Sequence, residues 1–254
     1  MSGSDDPDNA SYARVGTAGW TLPRAEQIHF PAGSSHLERY ALRFGAVEIN
    51  SSFHRSHRPA IWQRWADAVP PDFRFSVKIP KAITHVARLE KPELITAFLE
   101  ECGVLRAKLG CVLVQLPPSL AFDARTAGRF FENLRTATPV RVACEPRHES
   151  WFHPEPDAFL AELHIARVAA DPPRVPAGAE PGGWRGFSYY RLHGSPRIYY
   201  SAYTPEFLAT LTRPLTQELE AARAVWCIFD NTTLGAATHN ALDLCEALEV
   251  ASKD

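Results

Sequence analysis

The sequence predicts an α/β protein of the TIM type, a single-domain (β/α)8 barrel with a Pro/Gly-rich loop in place of its sixth helix. Three observations carry that expectation. Eight short apolar runs, rich in β-branched and aromatic residues, alternate with amphipathic stretches. The alternation fills a chain of 254 residues, close to the roughly 250 that this architecture uses. The main rival, a doubly wound sheet, would show a glycine-rich dinucleotide loop, and Gly16-Thr17-Ala18-Gly19 lacks that spacing. No phosphate-binding P-loop occurs either, so no nucleotide cofactor is expected.

The strands read in order as 13–16, 47–50, 73–79, 111–116, 140–145, 166–171, 187–193 and 225–230. Ser35 is placed to cap a helix over 36–44, where Leu37, Tyr40, Ala41 and Phe44 recur at i, i+3, i+4 and i+7. Pro59 suits the first turn of a helix over 60–69, and Pro92 does the same for one running towards Lys108. Asp123 caps 124–136, and Thr204-Pro205-Glu206 starts a helix over 206–223 that Pro214 is expected to kink or divide. Residues 235–250 close the chain as a last helix. The stretch 171–186 is rich in proline and glycine and reads as a loop. Residues 1–11 read as a disordered polar tail, which leaves 12–250 as the domain.

Composition excludes several function classes. Lys plus Arg is 27, Asp plus Glu is 29, and the formal net charge is −2. A generic nucleic-acid or membrane-surface binder needs an excess of positive charge, so nucleic acid is not the favoured partner. No apolar run reaches the roughly 18 residues of a membrane span. Met1 to Asp6 has neither the basic nor the apolar region of a signal peptide, and a cytoplasmic location is expected. The five cysteines lie far apart without C-x-x-C, which argues against a disulfide framework or a thiolate zinc site.

In such a barrel the active site lies at the C-terminal ends of the strands. Those ends carry Glu48 and Asn50, Lys78, Gln115, Glu145 and Arg147, Asp171, Arg191 and His193, and Asp230 and Asn231. Ionisable groups in apolar runs are costly unless paired or reactive. One bland reading is that they neutralise one another. A second is metal binding by Glu48, Glu145, Asp171, His193 and Asp230, although Lys78, Arg147 and Arg191 would share the cavity. A third is metal-free anion recognition, with Arg147 and Arg191 as two-pronged clamps and Lys78 as a point charge or nucleophilic amine. Lys78, Glu145 and His193 are then the candidate catalytic groups. Glu48, Asn50, Arg147, Arg191, Asp230, Asn231, Trp20 and Trp151 are the candidate ligand contacts. Trp20, Phe53, Trp151, Phe152, Tyr199, Tyr200 and Tyr203 follow strands and could stack on a sugar or base, or simply seal the rim. Trp62 and Trp65 read as core, and His54-Arg55-Ser56-His57 as a solvated loop.

The strand ends also carry a recognisable set of motifs. They are G-T-A-G-W at 16–20, V-E-I-N-S-S-F-H at 47–54, F-R-F-S-V-K-I-P at 73–80 with T-H at 84–85, and V-Q-L-P-P-S at 114–119. E-P-R-H-E-S-W at 145–151, Y-R-L-H-G at 190–194 and F-D-N-T at 229–232 continue the series. In that order they resemble the YecE-like family (domain of unknown function 72, DUF72) over about residues 13–249. The resemblance implies a TIM-type barrel with these residues at its mouth, and it implies no reaction. Pro146 and Glu149 depart from the family's fifth block, and Glu149 adds a carboxylate that could alter local charge. The expected function is the binding of a small anionic or polyhydroxylated ligand at the mouth, with or without turnover. The alternatives are nucleic-acid or metal-dependent phosphoester processing, which predicts a basic rim from Arg55, Arg58, Lys81, Arg88 and Arg197, and a non-catalytic ligand sensor.

Overall fold

A computed structural model describes residues 13–251, so the expected disordered tail at 1–11 lies outside the described residues. The chain is a mixed α/β protein with parallel sheets. Its strands are β1 (Arg14–Thr17), β2 (Ala46–Ile49), β3 (Arg74–Lys78), β4 (Leu109–Gln115), β5 (Arg141–Glu145), β6 (Ile165–Arg167), β7 (Ala169–Asp171), β8 (Gly182–Gly183), β9 (Phe187–Leu192) and β10 (Ala224–Phe229). Its α-helices are α1 (His36–Ala41), α2 (Pro59–Asp67), α3 (Leu94–Cys102), α4 (Ala124–Ala137), α5 (Pro154–Glu162), α6 (Pro205–Glu220) and α7 (Ala236–Ala251). No helix of the described residues is long and apolar enough to cross a membrane.

One sheet runs β2-β3-β4-β5-β6-β8 and the other β1-β10-β9-β7. Every pairing is parallel except the short antiparallel one between β6 and β8. Ala18 bridges Glu48 in parallel, which ties β1 to β2. At the other side, β6 pairs with β5 and β7 with β9, with Val168 alone between β6 and β7. The single strand expected over 166–171 is therefore two short ones, each serving a different sheet.

Side-chain parity separates two apolar regions. Residues of one parity, such as Val47, Val77, Val112, Val114 and Val142, pack with the helices in one large core. The alternate residues Ala46, Cys111, Leu113, Ala143, Phe187, Tyr189, Trp226 and Ile228 form a second cluster of their own. Residues of this second parity nearest the C-terminal ends are the charged ones, so the pleat itself delivers them to one place.

The helix starts follow their caps. Ser35 Oγ accepts from Glu38 N, Asp123 Oδ1 from Thr126 N, and Thr204 Oγ1 from Phe207 N. Helix α6 runs through Pro214 without dividing. Residues 172–186 hold a 3-10 turn and the two-residue β8, with no α-helix. A cleft of about 440 Å³ opens there on the helix side of the sheet, between Tyr190, Leu192 and α6 residues Phe207, Leu211 and Pro214. Helix α5 has no counterpart in the sequence reading. The helix expected to reach Lys108 ends at Cys102 and continues as a 3-10 segment, in which Arg106 takes φ +53°.

The β1–β2 seam is tight. A Cβ on Gly16 would lie 2.1 Å from the Ala46 carbonyl oxygen, so only glycine fits. Buried Tyr40 spans the seam, because its Oη accepts from Thr17 N at 2.8 Å and donates to the Ala46 carbonyl at 3.1 Å. Tyr40→Phe leaves the Thr17 N–H buried without that acceptor. It should lower the unfolding free energy by about 1–3 kcal/mol, measured by urea denaturation.

Candidate functional site

Arg191 is the centre of the charged layer and has 0% exposure. Its Nε and Nη2 donate to the two oxygens of Glu48 at 2.9 and 2.6 Å. Nη1 donates to Glu145 Oε2 at 2.6 Å, and Nη2 also reaches Asp230 Oδ2 at 3.0 Å. Three carboxylates from β2, β5 and the end of β10 thus converge on one guanidinium from β9. Tyr189 Oη donates to Glu48 at 2.9 Å and pairs with Ser76 Oγ, and Gln115 Nε2 donates to Glu145 at 3.2 Å.

His193 closes the layer. Its Nδ1 stands 3.0 Å from Asp230 Oδ2 and its Nε2 stands 3.0 Å from Glu145 Oε1. Carboxylates only accept, so both ring nitrogens must donate, which makes the ring an imidazolium. Burial alone would push the His193 pKa down, but Glu145 and the two hydrogen bonds outweigh it and hold it above its ordinary 6.5. Burial also opposes ionisation of Glu145, yet Arg191, His193 and Arg147 hold its carboxyl well below the usual range. Asp230 is lowered likewise, by Arg191 and His193 against burial.

Towards solvent lie Arg147 and Lys78. Arg147 donates through Nε to Glu145 Oε1 at 3.1 Å and keeps 18% of its side chain exposed. Lys78 ends β3 with only 8% exposure, and Nζ sits 4.2 Å from the centre of the Phe53 ring. Among the described residues, Nζ has no hydrogen bond or ion pair. Burial, then the field of Arg191, lowers its pKa to about 8 against the pull of Glu48, Glu145 and Asp230. A cavity of about 20 Å³ beside Glu145, Arg147 and His193 opens between β5, β7 and the loop after β9.

The geometry sorts the expected site residues. Glu48, Lys78, Glu145, Arg147, Arg191, His193 and Asp230 do come together. Arg191 was expected as a ligand clamp. Its guanidinium is instead sealed and engaged with protein carboxylates. Asn50 stands two residues beyond Glu48, and its buried Oδ1 has no donor. Trp20 is half-buried edge-on to Trp65, 5.1 Å between ring centres. Trp151 is a correction: it is 1% exposed, donates to the Leu120 carbonyl and packs on Phe122 and Phe131, so it serves the core. Asn231 is also fully buried, and its Nδ2 braces Ser201 and Asn240 rather than the mouth. Glu149 is exposed at the start of a 3-10 turn, so the extra carboxylate adds nothing to the charged layer. The five-residue metal set is not assembled, since no group of three or more His, Cys, Asp or Glu among the described residues is arranged to hold an ion. Asp171 instead accepts from Tyr203 Oη at 2.8 Å.

Two residues outside the candidate catalytic and ligand-contact sets stand beside the charged layer, one of them from the aromatics expected to stack or seal the rim. Tyr199 stands edge-on to His193, 5.8 Å between ring centres, with Oη 3.5 Å from Arg147 Nη2. It takes φ +70° and is 37% exposed, so it lies over the site from the loop after β9. His85 packs edge-on to the same Phe53 ring that Lys78 covers, and burial with the charges of Lys78, Lys81 and Arg147 lowers its pKa. The doublet at 199–200 and the T-H pair at 84–85 were visible signals, but neither lies on a strand.

Comparison with known proteins agrees with the motif reading. The family model described as "Protein of unknown function DUF72" matches residues 14–254. The YecE protein of Escherichia coli K12 is 33% identical over 104 residues, which is 41% of this chain and 37% of that relative. The match thus spans little more than a third of that relative's length. The YunF protein of Bacillus subtilis is 23% identical over 268 residues, covering 93% of this chain and 94% of that relative. A solved DUF72 structure from Enterococcus faecalis superposes with TM-score 0.78 at 23% identity, covering 94% of this chain and 96% of that one. One from Thermotoga maritima gives TM-score 0.74 at 26% identity over 94% and 100% of the two chains.

Two predictions follow from the ion network. Arg191→Met strands three buried carboxylates and should cost roughly 3–5 kcal/mol of unfolding free energy. Arg191→Lys should recover only part of it, because one ammonium cannot reach all three. For His193 the raised pKa fixes the sign. Its stabilisation is fully present below pH 6.5 and is lost as pH rises through the folded value. Wild-type stability minus that of His193→Gln should therefore shrink as pH rises above 6.5, measured by urea denaturation at each pH.

Proposed function

We propose a function for a chain that belongs to the DUF72 family: it binds a small anionic, polyhydroxylated ligand at the C-terminal ends of its strands. The residues in contact would be Lys78, Arg147, Asn50 and Tyr199, while His193, both of whose ring nitrogens are engaged by carboxylates, would hold Glu145 and Asp230 in place. The observation that carries this reading is a charge mismatch. Glu48, Glu145 and Asp230 are matched by Arg191, Arg147 and His193, and Lys78 is left over as a cation with no carboxylate of its own. A buried cation without a counterion favours an anion from outside. The buried Asn50 Oδ1 wants a donor, which a ligand hydroxyl supplies.

We also read the two sheets as the halves of one closed (β/α)8 barrel spanning residues 12–250. The Ala18–Glu48 bridge on one side and the run 165–171 on the other support closure. The separate inner apolar cluster supports it as well, since a closed sheet has an interior of its own. The charged layer is then the mouth of the barrel, where ligands bind in such folds.

The test is anion binding. Inorganic phosphate or citrate at millimolar concentration should raise the midpoint of thermal unfolding. Lys78→Met and Arg147→Ala should each weaken the binding about tenfold, the worth of one charged hydrogen bond. Exposed Lys81→Met should bind like wild type. If neither anion shifts the midpoint, or if the shift survives in Lys78→Met and Arg147→Ala, the reading is wrong.

A further inference from the structure

We propose that Lys78 Nζ is a nucleophile that forms an imine with the aldehyde or ketone carbon of a carboxylated or phosphorylated ligand at this mouth. The inference rests on the anion reading above and adds the reactive group of the substrate.

Four observations support it. Lys78 is more than nine-tenths buried, yet its amine meets no acceptor among the described residues. A lysine kept for structure would be paired with one of the three carboxylates beside it, yet Lys78 bonds none of them, Asp230 included, whose Oδ1 takes no bond from Arg191. The root of the side chain is fixed, because Ser52 Oγ donates to the Lys78 carbonyl at 2.7 Å and Ile79 N donates to the Leu113 carbonyl at 2.9 Å. The tip is held against the Phe53 ring, and His85 meets that same ring edge-on. His85, kept neutral by its lowered pKa, is a base for the proton the amine must lose.

The lowered pKa of Lys78 supports the chemistry. At pH 7 a lysine with a pKa of about 8 is about 9% neutral, against about 0.03% at the ordinary 10.5. The neutral amine adds to the carbonyl carbon, forming the C–N bond as the carbonyl π bond opens and its oxygen takes a proton. That hydroxyl then leaves as water while nitrogen gives up its remaining hydrogen as a proton. One water is released, both its hydrogens coming in balance from the amine, and no oxidant or reductant is needed. Arg147 faces the ligand's anionic group.

The full chain has five lysines, at 78, 81, 91, 108 and 253, so trapping can be mapped to single residues. Incubation with glyceraldehyde 3-phosphate or pyruvate, followed by borohydride reduction and peptide mass spectrometry, should place the adduct on Lys78. The yield there should exceed that on exposed Lys81 by about tenfold or more. Lys78→Arg should abolish that adduct while its circular dichroism stays that of wild type. Lys81→Arg should keep it. Labelling by the phosphate ester but not pyruvate, or the reverse, supports the imine and tells the two anionic groups apart. Adduct confined to Lys81, Lys91 and Lys253, or equal yield on all, overturns the proposal. Equal labelling of Lys78 by uncharged glyceraldehyde keeps the imine and removes the anion reading. Stabilisation by phosphate without trapping does the opposite.

Discussion

The charged layer at the strand ends depends on one buried guanidinium. Arg191 carries a full charge with no exposure, and such a group is tolerable only if every direction around it offers an acceptor. Its planar fork meets Glu48 with two parallel bonds and still reaches Glu145 and Asp230. A lysine could not do this, since a point charge has no fixed geometry to span three partners. The strands bearing these carboxylates are therefore held in register at their ends by electrostatics, while the inner apolar cluster below holds them by packing. Gly16 and Tyr40 complete the arrangement at the seam between β1 and β2, where close backbone approach brings Glu48 to its place.

From that constraint follows a division of labour. Arg191 and His193 are enclosed and engaged with protein carboxylates, whereas Arg147 keeps an open side. Arg147 shares Glu145 with Arg191 and His193 but keeps a face towards solvent and Tyr199. Because Glu145 accepts from Gln115, Arg147, Arg191 and His193, its proton is unavailable at neutral pH, and it acts as an anchor rather than an acid. His193 is pinned between two carboxylates as an imidazolium, which suits donation of a proton and not its abstraction. The neutral imidazole of the mouth is His85 instead.

How much of this the sequence disclosed depends on the range of each interaction. The strands and most helices were legible, because period-two and 3.6-residue patterns and caps such as Ser35, Asp123 and Thr204 are local signals. Helix α5 was not, although Pro154 in its first turn with Glu155 and Asp157 is a start signature. Its apolar residues do not gather on one face, and two prolines read as loop. Residues 165–171 read as one strand because a change of sheet partner leaves no mark in composition. The charged residues of this layer were legible from their place at the C-terminal ends of the apolar runs. Their roles were not, since exposure decides whether an arginine clamps a ligand or a carboxylate, and exposure comes from the tertiary fold. Trp151 and Asn231 show the same limit, since each follows a strand but turns into packing that distant residues supply.

The isolation of Lys78 is best understood as a matter of stoichiometry. Every oxygen of Glu48 and Glu145 already accepts a bond from the protein, and Asp230 gives one oxygen to both Arg191 and His193. Two places beyond Glu48 stands Asn50, an amide rather than a carboxylate. An amide carries no charge, and its buried Oδ1 accepts from no donor among the described residues. An unpaired buried ammonium costs stability. On the proposed reading, an anion would supply the charge that the protein's own carboxylates do not give Lys78.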